Sequence, residues 1–149
     1  MKKCIKIIAT VLSFIVVGLV GLVLVLAGDV VTSRYTSISA ARADNLFDRG
    51  WLPDILPPSA HTIRTSNDLD LNISDGEFSF VPSDYSLLAS HVKPYKTIAT
   101  PFANFEKDVA RMQNKGFLLS TYAEEKTTWV FFCKPEKGYC EYTMWLRRG

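Results

Sequence analysis

The sequence predicts an α+β fold: an N-terminal transmembrane helix followed by an antiparallel β-sheet with two or three helices packed on one face. Three observations predict it. Residues 7–27 form an apolar run without a single charge. Apolar side chains in the middle of the chain recur at spacings of three and four, as in helices that pack on a core. The last third is dense in aromatic and β-branched residues, which is typical of strands.

The apolar run is long enough to cross a bilayer, since a helix of about 20 residues spans the hydrocarbon core. Lys2, Lys3 and Lys6 precede it, and excess positive charge stays on the cytoplasmic side. We therefore expect a single-pass protein of the bacterial inner membrane, with its N-terminus cytoplasmic and its C-terminal domain periplasmic. The alternative is a signal peptide cleaved after Ala27, although the apolar stretch of such peptides is usually only about 7 to 15 residues long.

This interpretation divides the chain into four parts. They are a cytoplasmic flank (1–6), a signal anchor (7–28), a juxtamembrane segment with an amphipathic helix (29–50), and an extracytoplasmic α+β domain (51–149) that packs with residues 36–50. The three lysines are the only cations before Asp29, so the exported part carries 14 Lys and Arg against 15 Asp and Glu. This balance leaves no basic patch for nucleic acid.

An amphipathic helix is predicted over residues 36–49, because Ile38, Ala41, Leu46 and Phe47 recur near helical spacing and Gly50 can end it. A proline-rich stretch follows, in which apolar residues lie between prolines that exclude a regular helix. Two interpretations are open: a partner-binding edge, or a cover over one end of the core. The residues concerned are Trp51, Leu52, Pro53, Ile55, Leu56, Pro57 and Pro58.

The same stretch carries a resemblance to a known family. The pattern Phe47-x-x-Gly50-Trp51-Leu52-Pro53-x-x-Leu56-Pro57-x-Ser59 is followed by Ile63 and by Asp68-Leu69-Asp70-Leu71-Asn72. Over residues 43–80 the chain resembles small, membrane-anchored bacterial proteins of unknown function, the YbbD head-like group. The resemblance implies a bacterial, extracytoplasmic protein. It implies no activity and no catalytic residues.

A β-hairpin is predicted next. Leu69, Leu71 and Ile73 alternate with polar residues, and Asp75-Gly76 offers a two-residue turn. Pairing across that turn places Ile73 opposite Phe78. The polar positions between the leucines would then form an outward row on the strand.

Two helices are predicted after the hairpin. Ser83 can cap a short helix through residue 92. The second is predicted to begin at Thr100 and Pro101 and to end at Gly116. Its apolar stripe consists of Phe102, Phe105, Val109 and Met112.

The remainder predicts an antiparallel meander over residues 117–123, 127–133 and 140–146. Centring the last turn on residues 135–138 makes Cys133 face Cys140, Phe131 face Tyr142 and Trp129 face Met144. A disulfide between the two cysteines is the expectation in an oxidising compartment. A zinc site is the alternative, but no second Cys or His pair completes four ligands.

The sequence predicts a non-enzymatic interaction or accessory domain, with the lipid bilayer as one partner through residues 7–28 and an unknown envelope protein as the other. No cofactor, metal ligand set or catalytic group is predicted, because no phosphate-binding glycine loop and no nucleophile motif is present. One alternative is an envelope hydrolase that uses His61 with Asp68 or Asp70. Another is an immunity-type protein against a periplasmic toxin.

Overall fold

In a computed structural model of the chain, residues 15–18 and 29–147 are described. Their main element is a seven-stranded sheet with the strand order β1-β2-β3-β7-β6-β5-β4, in which every neighbouring pair is antiparallel. The strands are β1 (Val30–Ser37), β2 (His61–Asp68), β3 (Ile73–Ser79), β4 (Lys93–Pro94), β5 (Leu118–Glu124), β6 (Thr127–Lys134) and β7 (Tyr139–Leu146). The helices are α1 (Ile38–Ala43), α2 (Tyr85–Ala89) and α3 (Phe105–Asn114), with single 3₁₀ turns at Pro82–Asp84 and Pro135–Lys137. The predicted antiparallel α+β domain is confirmed.

The predicted transmembrane segment, residues 7–28, lies outside the described residues apart from residues 15–18, which are helical. Within the described part of the chain, no helix combines the length and the apolar character needed to cross a membrane. Anchoring therefore stays a prediction from the sequence.

The sheet is covered on both faces, so the prediction that the helices pack on one face is wrong. On one face α1, α2 and the segment 44–60 pack over Phe131 and Tyr142. On the other face α3 packs over Phe132 and Trp145. We call these the strap face and the helix face. The reason lies in β6, where six consecutive residues, 128–133, are buried. A strand that is apolar on both faces needs a cover on each side.

The predicted amphipathic helix over residues 36–49 is too long, since the structure has β1 up to Ser37 and a helix only from Ile38 to Ala43. Val30–Ser37 pairs with β2 instead of forming a juxtamembrane segment. The Ser37 hydroxyl accepts a hydrogen bond from Ala40 N at 3.2 Å and so caps α1, which ends at Ala43. Asn45 then adopts φ +54°, which breaks the helix. Leu46 and Phe47 follow in a series of turns, and both side chains are buried in the core.

The predicted turn at Asp75-Gly76 is also wrong, because β3 runs straight through both residues. The chain turns instead between Asp68 and Ile73, which are paired. Gly76 is needed inside the strand. A Cβ there would lie 2.4 Å from the Arg64 carbonyl oxygen and 2.5 Å from the Tyr142 ring, so only glycine lets these neighbours approach.

The remaining elements follow the predictions more closely. The short helix expected from Ser83 to residue 92 is a 3₁₀ turn followed by α2. Helix α3 begins at Phe105, later than predicted, and its stripe of Phe102, Phe105, Val109 and Met112 is core as expected. The predicted pairing of β6 with β7 is confirmed at every position, including Cys133 opposite Cys140.

Candidate functional site: the helix-side cleft

The histidine and the aspartates of the hydrolase alternative lie at opposite ends of β2. His61 pairs with Ser79 and Asp68 pairs with Ile73. At about 3.3 Å per residue, seven residues of strand separate them by about 23 Å. His61 Nδ1 lies instead 3.0 Å from the Ser59 carbonyl oxygen. A nucleophile, base and orienting group must lie within hydrogen-bond reach, so this pairing is wrong.

Asp68 and Asp70, which the sequence predicts on one outward strand face, are divided between two elements: Asp68 ends β2 and Asp70 lies in the turn before β3. Asp68 Oδ1 accepts hydrogen bonds from the backbone N–H groups of Asp70, at 3.1 Å, and Leu71, at 2.9 Å. A hydrogen bond with the Asp29 carboxylate, together with its charge, raises the pKa of Asp70. Among residues 15–18 and 29–147, no group of three or more acidic, His or Cys side chains is arranged to hold a metal ion. The carboxylate of Asp68 therefore shapes a turn.

The side chains of the proposed partner edge lie in the core, as the packing alternative requires. Leu52 is 1% exposed, and Trp51, Ile55 and Leu56 are each 8% exposed. Pro53 and Pro57 are buried as well, while Pro58 is exposed. This stretch covers the strap face of the sheet.

Cys133 and Cys140 meet as the hairpin register requires. Their Cα atoms lie 4.1 Å apart and their Sγ atoms are within bonding distance, so the structure contains a disulfide between Cys133 and Cys140. Both residues are fully buried in the core of the strap face. The disulfide is structural, because no reagent reaches it without opening the core.

A cleft of about 640 Å³ lies on the helix face, between α3 and the strands β3 and β7. It exists because α3 packs over β6 and leaves β3 uncovered beside it. Aromatic and aliphatic side chains form its floor, and ionised groups stand around them. The lining residues are Asp75, Gly76, Pro101, Phe102, Ala103, Phe105, Asp108, Arg111, Met112, Phe132, Glu141, Tyr142 and Thr143.

The lining carries three carboxylates and one guanidinium group, so its formal charge is negative. Hydrogen bonds and an ion pair fix two of the carboxylates. Thr143 Oγ1 donates to Asp75 Oδ1 at 2.7 Å, and Arg111 lies 2.9 Å from Asp108. A site with an apolar floor and a surplus of fixed negative charge suits a ligand that is itself both apolar and cationic.

A tyrosine beside the cleft contacts Glu141 of the lining and also Glu77, whose Oε1 lies 3.9 Å from Arg64 Nη1. The Tyr139 hydroxyl donates to Glu77 Oε2 at 2.7 Å and lies 3.2 Å from Glu141 Oε1. Burial, and then the hydrogen bond to the Glu77 carboxylate, raise the pKa of Tyr139. This hydroxyl therefore stays protonated at neutral pH, and its single proton is donated to Glu77, the nearer of the two carboxylates.

The first three strands carry the family resemblance. Residues 29–79 match the family model of the YbbD head domain. The match confirms the resemblance to the YbbD head-like group and starts earlier in the chain, at the beginning of β1. Neither the curated proteins nor the solved structures contain a match to this chain.

The YbbD head match covers β1, α1, β2 and β3, and it contributes Asp75 and Gly76 to the cleft. The other lining residues come from α3, β6, β7 and the loop before α3. No sequence prediction named these residues as a site. A signal was present in β7, where polar Glu141 and Thr143 alternate with buried residues on a strand that is apolar elsewhere.

Proposed function

We propose that this chain is a single-pass inner-membrane protein whose extracytoplasmic domain is an interaction or accessory module. The charge-free run of residues 7–27 behind three lysines supports the anchor. The buried disulfide between Cys133 and Cys140 supports an oxidising compartment, since such bonds are rare in the cytosol.

The observation that carries the binding role is the helix-side cleft, with its apolar floor and surplus of carboxylates. We propose that it receives a segment of an envelope protein in which a Lys or Arg follows or precedes a large apolar residue. The apolar side chain would replace water over Phe102 and Phe132, and the cation would approach Asp75 and Glu141. An immunity-type role is the special case in which this partner is a toxin.

Cross-linking from inside the cleft tests the proposal in cells. Ala103 is exposed and lines the cleft, so p-benzoylphenylalanine at this position can react with a bound segment. Lys107, exposed on the first turn of α3 but outside the lining, is the control position. We expect a light-dependent adduct from position 103 and none from position 107, with the captured peptide containing an apolar residue next to Lys or Arg.

The charge requirement supplies a second criterion. The double variant Asp75→Asn with Glu141→Gln removes two negative charges while keeping the size of both side chains. It should lower the yield of the adduct from position 103 several-fold, because the cation loses its partners. Equal adducts from positions 103 and 107, an adduct that is insensitive to the double variant, or no adduct at all would contradict the proposal.

A further inference from the structure

Exposed apolar side chains cluster at one end of the sheet. β1 begins there, β2 ends there and β3 begins there, and we call it the near end. Between residues 29 and 147, eight large hydrophobic side chains are exposed. Five of them lie at the near end: Val30, Val31, Leu69, Leu71 and Leu146. Val81 and Leu118 lie at the opposite end, and Leu87 lies on α2.

The turn between β2 and β3 presents two of these side chains outward. Leu69 is 46% exposed and Leu71 is 62% exposed. The Asp68 carboxylate binds the backbone of the turn, and Asn72 adopts φ +52° to lead into β3. The shape of the turn is therefore fixed by its own polar groups, and the leucines contribute nothing to the core. Exposed leucines on a well-held turn point to a partner of apolar character.

The position of this turn in the chain indicates which partner. The backbone N–H of Leu69 donates to the Asp29 carbonyl oxygen at 3.1 Å. Asp29 follows the last residue of the apolar run, Ala27, by two positions. Two residues reach about 7 Å when fully extended. If the run crosses a bilayer, the reach to Asp29 and the hydrogen bond to Leu69 together place Leu69 within about 10 Å of the end of the run, at the depth of the lipid headgroups.

We propose that the Leu69–Leu71 turn inserts its two leucine side chains into the surface of the bilayer that anchors the chain, so that the near end of the sheet faces the membrane. This inference rests on the anchor of the proposed function. Asp29, Asp68 and Asp70 surround the turn, so anionic headgroups repel it and the contact depends on burial of the two leucine side chains. The contact holds the domain in one orientation on the membrane.

Fluorescent labelling of the full chain in vesicles tests this contact. In a Cys4→Ser background, Leu71→Cys carries the dye nitrobenzoxadiazole, and the vesicles are phosphatidylcholine with doxyl groups near the headgroup end of the acyl chains. The matched control is Leu87→Cys, a leucine of similar exposure on α2, outside the near end. We expect quenching at position 71 to exceed that at position 87 several-fold, with blue-shifted emission. Leu69→Cys repeats the measurement if Leu71→Cys does not fold.

Flotation of the same vesicles separates the two proposals. If the chain floats with the vesicles and the dye at positions 69 and 71 is quenched no more than at position 87, the membrane contact of the turn is overturned while the anchor stands. If the chain does not float, the anchor fails and the inference that rests on it fails with it.

Discussion

The substitution Gly76→Ala tests the close packing of Gly76 inside β3, where the sequence predicts a turn. The Cβ of Gly76→Ala would lie 2.4 Å from a backbone oxygen of β2 and 2.5 Å from the ring of Tyr142, which is 2% exposed. β3 is paired on both sides, so it has little room to move away. Overpacking of this kind costs about 1–3 kcal/mol. Alanine recovers about 0.5–1 kcal/mol by restricting the unfolded chain.

We expect a net loss of about 2 kcal/mol, which is the upper part of the overpacking range less the gain from the unfolded chain. For about 120 ordered residues at about 2.1 cal/mol/K of unfolding entropy each, this lowers the Tm by about 8 °C. The assay is urea unfolding of the full chain in detergent, followed by fluorescence of three buried tryptophans, Trp51, Trp129 and Trp145. With a slope of about 2 kcal/mol/M, the midpoint should fall by about 1 M.

Gly76→Asn distinguishes the strand from the turn that the sequence predicts. In a hairpin turn that needs positive φ, asparagine is tolerated better than alanine. In the strand, its larger side chain meets the same two obstacles and is more destabilising than alanine. A midpoint for Gly76→Asn that equals or exceeds that of Gly76→Ala, or an unchanged midpoint for Gly76→Ala, would refute the close approach of Tyr142 to this glycine.

Three further predictions concern the stability of the core. Ser74→Ala should lower the free energy of unfolding by about 1–3 kcal/mol, because the buried Ser74 hydroxyl on β3 donates to Asn67 Oδ1 on β2 at 2.6 Å. The control is Ser66→Ala, on the face of β2 opposite to Asn67, which should change the urea midpoint little. Replacing Cys133 and Cys140 together by alanine should cost about 2.5 kcal/mol by loop entropy, measured by thermal unfolding against the wild type with and without reductant. Burial raises the pKa of Tyr142, so stability is complete below the ordinary tyrosine pKa of about 10 and falls above it. In an alkaline titration, the tyrosinate absorbance that is missing from Tyr142→Phe should rise only together with loss of structure, and its appearance in a folded chain would contradict this.

The β6–β7 hairpin is predictable from the sequence because its determinants are local. The loop of residues 135–138 sets the register, and every opposed pair follows from it. The continuous apolar run of β6 also signals that the sheet is covered on both faces, but only if it is interpreted as a strand buried on two sides. The misplacement of α3 came from treating all helices as one layer.

The β2–β3 turn and the cleft are not predictable in this way. Asp75-Gly76 is the stronger local turn signal, and what overrides it is the ring of Tyr142, which is distant in sequence. The cleft likewise joins Asp75 on β3 with Glu141 on β7, whose proximity depends on a pairing between distant strands. The burial of Trp51 follows from the tertiary fold, since an apolar, proline-rich sequence fits both a core cover and a contact edge.

The exported, anchored topology is tested most directly by thiol labelling of intact cells with a membrane-impermeant maleimide. Leu87→Cys in a Cys4→Ser background places one free thiol at an exposed position of α2, and the wild-type chain offers Cys4 on the predicted cytoplasmic side. We predict that Leu87→Cys is modified in intact cells and that Cys4 is modified only after permeabilisation. Protection of Leu87→Cys until the membrane is permeabilised would contradict the export of the domain.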